Sequence, residues 1–299
     1  MVEPARATAL TLGTASSYGI LVGAGDKLSI GGGLNLTGDL GFGQDATVAI
    51  SRDNNSVSGD VYQDDNLNVT GSGSVNVLGN IYTQSMAQAI SDANSASTSA
   101  AKLAATSGLV DQGGSISVNG GSVTIKALTN LSENVLDITS LSLTNGTLTF
   151  DDNGFTGAKF IVNVSGGFSV TSSGSKKSII QGLNGASASD ILFNVEGTGS
   201  TVSITGNSGN QVIGTILAPS RNVTVGGGGS LAGNIIAGVN NVGKAVTLQT
   251  QSSGFNITSF TYKPSTGGGG GKVPEPSSIL PFGSGIVLLM IVRRRKSRA

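Results

Sequence analysis

The acidic residues of this chain come in short clusters: Asp53-Asn54-Asn55, Asp64-Asp65-Asn66 and Asp151-Asp152-Asn153. Grouped carboxylate and amide oxygens are the ligand set of calcium, and paired carboxylates are the machinery of glycoside hydrolysis. Both residue types also close turns by hydrogen-bonding their own backbone. The spacing favours that plainer use, because neighbours on a turn rarely converge on one bond. The Gly-Gly-x-Gly-x-Asp calcium repeat of other β-rolls is missing. The chain contains no His and no Cys. That removes the commonest general base and the middle member of a Ser/His/Asp triad, together with thiolate metal sites, disulfides and cysteine nucleophiles. No catalytic residue, metal or cofactor is expected, and binding is expected in place of catalysis.

The elements that must position a binding surface are written in a sparse alphabet. Of 299 residues 47 are Gly, aromatics make up 4% and charged residues 11%, against about 25% charged in ordinary soluble domains. The surface must therefore be covered by Ser, Thr, Asn and Gly. With 37% apolar residues and a mean hydropathy of +0.15, the chain is too hydrophobic for a disordered one. The formal net charge is zero, yet Arg293, Arg294, Arg295, Lys296 and Arg298 crowd the last seven positions. Without them 12 basic groups face 17 acidic ones, a net of −5. A mildly acidic body is a poor partner for nucleic acid, and none is expected.

From Leu12 to about Tyr262 the sequence runs in apolar–polar–apolar triplets separated by Gly, Asn, Asp and Ser. Each reads as a short strand of period two, apolar pair inward and middle residue outward. The middle residues are uncharged: Asn68, Asn76, Ser117, Thr124, Ser142, Thr149, Asn163, Ser203, Thr224 and Thr247. Stacked coil upon coil they would form flat ladders, and Asn68, Thr124, Thr149, Asn163, Thr224 and Thr247 are the candidate binding face. So many short strands predict an all-β-dominated chain, an irregular right-handed β-solenoid. The competing β-sandwich would have longer strands, about 5 to 6 residues. One segment departs from the pattern. Over residues 85–106, Met86, Ile90, Ala93, Ala96, Ala100 and Leu103 fall on one helical stripe, Ser85 and Gln88 have capping-box spacing, and Gly108 is placed to end the helix. This one long helix is expected to lie along the solenoid.

Gly267 to Gly271 form a flexible linker within residues 263–272. Beyond it come Val273, Pro274, Glu275, Pro276, Ser277 and Ser278, then an apolar run from Ile279 through Ile286, Val287, Leu288, Leu289, Met290, Ile291 and Val292, then the basic cluster Arg293, Arg294, Arg295 and Lys296. These three parts, in this order, closely resemble a PEP-CTERM sorting signal. The resemblance implies that residues 273–299 hold an exported protein transiently in the inner membrane until an exosortase-type membrane protease processes it. The physics agrees: prolines keep the motif extended, the apolar run enters the bilayer as a C-terminal hydrophobic helix, and the basic cluster stays cytoplasmic. At 14 residues the run falls short of the ~20 that span comfortably, as suits a transient anchor. Residues 1–11 lack the basic and apolar regions of a signal peptide and read as a leader remnant or a mis-called start.

Within residues 12–262, Leu12 to Val22, Gly38-Asp39-Leu40-Gly41 and Gly79-Asn80-Ile81-Tyr82 running into the Ala-rich helix resemble the opening of the ice-binding-like fold, a discontinuous β-solenoid flanked by a helix. Asn134 to Ile138, Phe160 to Val164, Ile191 to Val195, and Gly214 to Pro219 leading to Gly233 to Gly238 resemble the choice-of-anchor A family. The resemblance implies an adhesive or matrix domain and brings no catalytic residues with it. The expectation is an exported cell-surface protein that adheres to exopolysaccharide or other matrix components, with ice binding the alternative and polysaccharide-directed catalysis a more distant one.

Overall fold

The computed structural model describes residues 9–265, apart from 66, 110–112, 129–132, 156, 207–208, 241 and 250–253. The chain divides into two compact units, Met1–Gly267 and Gly268–Ala299. The sorting motif, the expected C-terminal helix and the basic cluster all lie outside the described residues, as does most of the leader segment. Among the described residues no helix is long and apolar enough to cross a membrane.

Among the described residues, short strands joined by tight corners wind into three parallel sheets of nine strands each, here called I, II and III. A coil contributes one strand to each sheet. The first is Tyr18–Val22 in sheet I, Lys27–Ile30 in II and Leu34–Thr37 in III, and the next two coils stack beyond it as far as Ile81–Thr83. The helix Ala87–Ala100 then carries the chain back past its own beginning. Winding resumes at Ser115–Asn119 and returns coil by coil, until Ile235–Ala237, Ala245–Gln249 and Phe255–Thr258 dock in register against the first coil. The solenoid is thus continuous in space and discontinuous in sequence.

The sheets enclose a dry core. In sheet II, Val118, Leu143, Val170, Ile204, Val225, Leu248, Ile30 and Ile50 form one inward ladder across eight coils, all buried. Phe150, Phe160, Phe168 and Phe193 meet edge-on in the interior, with centroids 5.1 to 5.8 Å apart. Strands with one wet face alternate apolar and polar, whereas strands covered on both faces become continuously apolar. Sheets II and III follow the first rule. Sheet I follows the second, because the outward Val135, Ile161, Leu192, Leu217, Ile236 and Leu21 are buried under Met86, Ala89, Ala93, Ala96 and Ala100 of the helix. Small Ala side chains let the helix lie close to the sheet.

The helix is shorter than residues 85–106, and its ends are made differently. Met86 is the N-cap with no side-chain cap bond, and Gln88 Nε2 donates to Asp92 Oδ1 at 2.7 Å rather than closing a capping box. At the other end Lys102 N and Leu103 N turn back onto Ser99 O and Ala100 O, tightening the last turn as free helix carbonyls require. Asn163 Nδ2 donates to Ala100 O at 2.9 Å and Asn194 Nδ2 to Ser97 O at 3.1 Å. Sheet I therefore ends the helix, and Thr106 N passes on to Val135 O.

Corners are held by backbone-directed polar groups. Gly38, Gly59 and Gly79 stack at one corner, where a Cβ on Gly59 would lie 2.4 Å from Gly38 O. The Asp after Gly38 and the Asp after Gly59 reach along the column: Asp39 Oδ1 accepts Asp60 N at 2.8 Å, and Asp60 Oδ1 accepts Asn80 N at 2.7 Å. At another corner Arg221, 1% exposed, donates to the carbonyls of Ser165, Gly166, Glu196, Gly197 and Ser200. One guanidinium thereby clamps three successive coils. The two ends of the column differ. Loop residues Leu109 and Leu128 pack on the core beside the Ser115–Asn119 coil, whereas at the far end the exposed Val69 and Ile81 line a cavity of about 460 Å³ that reaches inward to Leu28 and Phe42.

Candidate binding face

Register decides which side chains can act together, because residues in register on neighbouring parallel strands stand only about 4.8 Å apart. In sheet II one outward row reads Ser117, Ser142, Ser169, Ser203, Thr224, Thr247, Ser29, Ala49 and Thr70. It crosses all nine strands, about 38 Å, with no charge, no aromatic ring and no side chain larger than Thr. A shorter row beside it holds Asn119, Thr144, Thr171 and Thr205. These side chains are braced at the surface: Thr144 Oγ1 and Thr171 Oγ1 lie 3.3 Å apart, as do Ser203 Oγ and Thr205 Oγ1. The result is a field of small side chains, all hydroxyls except Ala49 and Asn119, repeated at one spacing.

The structure divides the six residues of the expected face among all three sheets. Thr224 and Thr247 are adjacent in the long row of sheet II, and Asn68 lies on the same sheet, in the row of Thr47. Thr124 and Thr149 are register partners in sheet III, where Gln181 Nε2 donates to Thr149 Oγ1 at 3.2 Å and Thr149 is buried. Asn163 is removed from the face altogether. It is buried in sheet I beneath the helix, in a chain of 2.9 Å bonds from Asn194 Nδ2 to Asn163 Oδ1 and from Asn163 Nδ2 to Asp137 Oδ1. Sequence reasoning had seen Ser117, Ser142 and Ser203 as outward triplet residues. It missed Ser169 and Ser29, although Phe168-Ser169-Val170 and Leu28-Ser29-Ile30 are the same triplet.

Sheet III is the poorer platform. Its outward row runs Ser122, Thr147, Ile179, Gln211, Ser230, Asn256, Asn35, Ser56 and Asn76, broken by Ile179. Its polar side chains bond to one another, Asn35 Nδ2 to Asn256 Oδ1 at 3.1 Å and Ser56 Oγ to Asn35 Oδ1 at 2.9 Å.

The acidic clusters serve the corners. Asp53 Oδ1 accepts Ser74 Oγ, and the buried Asn55 bonds Leu34 N, Arg52 O and Ser74 O. Asp64 Oδ2 accepts Met86 N at 3.2 Å. Asp151 Oδ1 accepts Asn153 N and Asn184 Nδ2, and these two bonds hold its carboxyl below the usual range. Among the described residues no group of three His, Cys, Asp or Glu is arranged to hold a metal ion.

Solved structures share this architecture. An ice-binding protein from an Antarctic biological consortium is similar with a TM-score of 0.52 and 23% identity, over 84% of this chain and 91% of that one. One from the Antarctic ascomycete Antarctomyces psychrotrophicus is similar with a TM-score of 0.50 and 21% identity, over 84% and 98%. At such identities the likeness is one of fold. No curated protein sequence matches the chain. A family model described as "Putative Ice-binding-like adhesive domain" matches residues 6–248, and over four-fifths of its length the chain therefore belongs to that family.

Proposed function

We propose that this protein is an exported cell-surface adhesin whose binding surface is the outward face of sheet II. The observation that carries the reading is the nine-strand row from Ser117 to Thr70, uncharged and flat while sheet I is covered and sheet III interrupted. A row with a hydroxyl at eight of its nine positions, ~4.8 Å apart, adds up many weak contacts along an extended, hydroxyl-rich partner, for which exopolysaccharide is the fitting chemistry. Four successive Ser, at 117, 142, 169 and 203, lack the methyl that would hold a water layer in one arrangement, and the hydroxyls of the first three turn toward sugar donors and acceptors. In this reading the domain acts by binding and not by catalysis. Residues 273–278 with the run to Val292 and the cluster Arg293 to Lys296 deliver it through a transient inner-membrane stage and exosortase-type processing to the cell surface or matrix. The choice-of-anchor A and PEP-CTERM resemblances support this route.

Ice binding is the second reading. It is favoured by the regular, uncharged row itself and by the solved ice-binding proteins that share the fold. One pair of measurements separates the two. Thr224→Lys with Ser203→Lys places charge mid-row on two adjacent, otherwise intact coils. Adhesion predicts that co-sedimentation with exopolysaccharide from a matrix-forming bacterium falls at least tenfold in the variant, with no faceting of ice crystals by either protein. Ice faceting by the parent chain that disappears in the variant would reverse the order of the two readings.

A further inference from the structure

At the corner between sheets III and I a lysine and two aspartates are shut away from water. Lys159 opens the strand Lys159–Val164, and Asp190 closes the short turn ahead of Ile191–Val195, the neighbouring strand of sheet I. The Lys159 ammonium sits directly against Asp190 Oδ1, the two side chains being 5% and 10% exposed. The other oxygen of Asp190 is held separately, since Oδ2 accepts both the backbone N–H and the hydroxyl of Ser187. Asp152 is 1% exposed, and its Oδ1 has no hydrogen-bond partner. Burial, with the charge of Asp190 added to it, pushes the Asp152 carboxyl up to about 6, although Lys159 pulls the other way. Around them lie the buried ring of Tyr262 and Glu133, the register partner of Lys159, whose Oε1 is occupied by Leu10 N and Ser265 Oγ.

This arrangement is costly as an ion pair and well disposed as a reaction site. Two charges out of water lose more solvation than their attraction returns unless every remaining lone pair is satisfied, and Asp152 is not satisfied. An amine held against a carboxyl in a water-poor pocket has an effective concentration far above any in solution. We propose that Lys159 and Asp190 condense, Nζ to Cγ, into an intramolecular amide that ties two neighbouring coils covalently. The ammonium first passes one proton to Asp190 Oδ1, giving an amine and a carboxylic acid. The amine lone pair then forms the Nζ–Cγ bond while the C=O pair moves onto Oδ2, where the N–H and O–H of Ser187 receive the growing negative charge. Asp152 accepts the surplus proton from nitrogen and delivers its own to Oδ1. The Cγ–Oδ1 bond breaks, and that oxygen leaves as water. An ammonium and a carboxylate become an amide and one water, with no change of oxidation state and no outside reagent. Oδ2 remains as the amide carbonyl, still bonded to Ser187.

The test is peptide mass spectrometry on the purified full chain. A tryptic digest of the parent should yield one species joining the segment that carries Lys159 to the segment that carries Asp190, lighter by one water than the two together. Lys159→Arg keeps a cation against Asp190 but cannot acylate, and should give the two segments unlinked. Asp152→Asn should still fold, and should form the linked species at least tenfold more slowly after refolding. Only unlinked segments from the folded parent after prolonged incubation would overturn the proposal and leave an ordinary ion pair. Linkage in Asp152→Asn at the parent's rate would overturn the role given to Asp152.

Discussion

Single residues here act mainly by what they do at corners. Arg221 ties carbonyls of two coils to its own, the third, and no motif announces it: a lone Arg after Pro219-Ser220 looks like any surface cation. Asp26 is a quieter case. It is 2% exposed, its Oδ1 accepts Lys244 N at 2.6 Å, and its Oδ2 has no partner. Burial raises its carboxyl to about 7, against the smaller opposing pull of the Lys244 and Gly243 N–H groups and the Lys244 charge. A carboxyl raised on folding favours the folded state while it keeps its proton. The contribution is full below the unfolded value near 4 and is lost as pH rises through about 7. Thermal unfolding should show stability falling between pH 4.5 and 8, by at most about 4 kcal/mol from this residue. Asp26→Asn should flatten most of that slope, leaving the smaller part that Asp152 contributes in the same direction. Parallel pH curves for parent and variant would remove Asp26 from the account.

Among elements, the helix and the sheet it covers depend on a close fit. Ala93 is fully buried against sheet I, so Ala93→Leu must push the helix off its bed. The expected cost is about 1–3 kcal/mol, read as a lower denaturant midpoint with an unchanged slope; an unchanged midpoint would mean that the helix floats on the sheet. The sequence displays this layer more openly than the triplets suggest. Phe160-Ile161-Val162, Ile191-Leu192-Phe193, Ile216-Leu217-Ala218 and Ile235-Ile236-Ala237 are unbroken apolar runs, the mark of strands covered on both faces. Val162-Asn163-Val164 imitates an exposed triplet because Asn163 is a polar residue with a buried task, satisfying the last helical carbonyl. A period of two reports that successive residues face opposite ways; it does not report what covers the outer face. The helix stripe from Met86 to Ala100 was legible for the converse reason, since its buried positions are apolar and its exposed ones, Ala87 apart, are polar. The helix end was not legible, because atoms from sheet I more than sixty residues downstream fix it.

At the scale of the whole molecule, the solenoid and its flanking helix follow from strand density and the Ala stripe, while the order of the coils does not. Ile20 pairs with Ile235 and Leu34 with Phe255, and pairings across more than 200 residues leave no local trace. A chain shortened to end before Gly233 keeps every residue of its first three coils but loses the surface on which they stand. Amide hydrogen exchange should find Tyr18 to Thr83 unprotected in that fragment, although nothing has been cut from it. Retained protection there would mean that these coils form an independent unit.

The closing of the first coil against the last also has a kinetic side. In a solenoid wound in sequence order, each new turn lands on one already formed, so folding can follow the chain as it emerges. Here the strands of the first coil pair with the next coil early but find their second partner only when residues near 258 are present, and so high a contact order places folding among the slow all-β cases. Until then the edge of Tyr18–Val22 is open on the side that Ile235–Ala237 will later fill, and an open edge templates wrong pairings. In the export route proposed above, where the chain would cross a membrane as an extended thread, that delay is an advantage: the first coils cannot lock before the last coil arrives, and they remain threadable until nearly all of the domain is through.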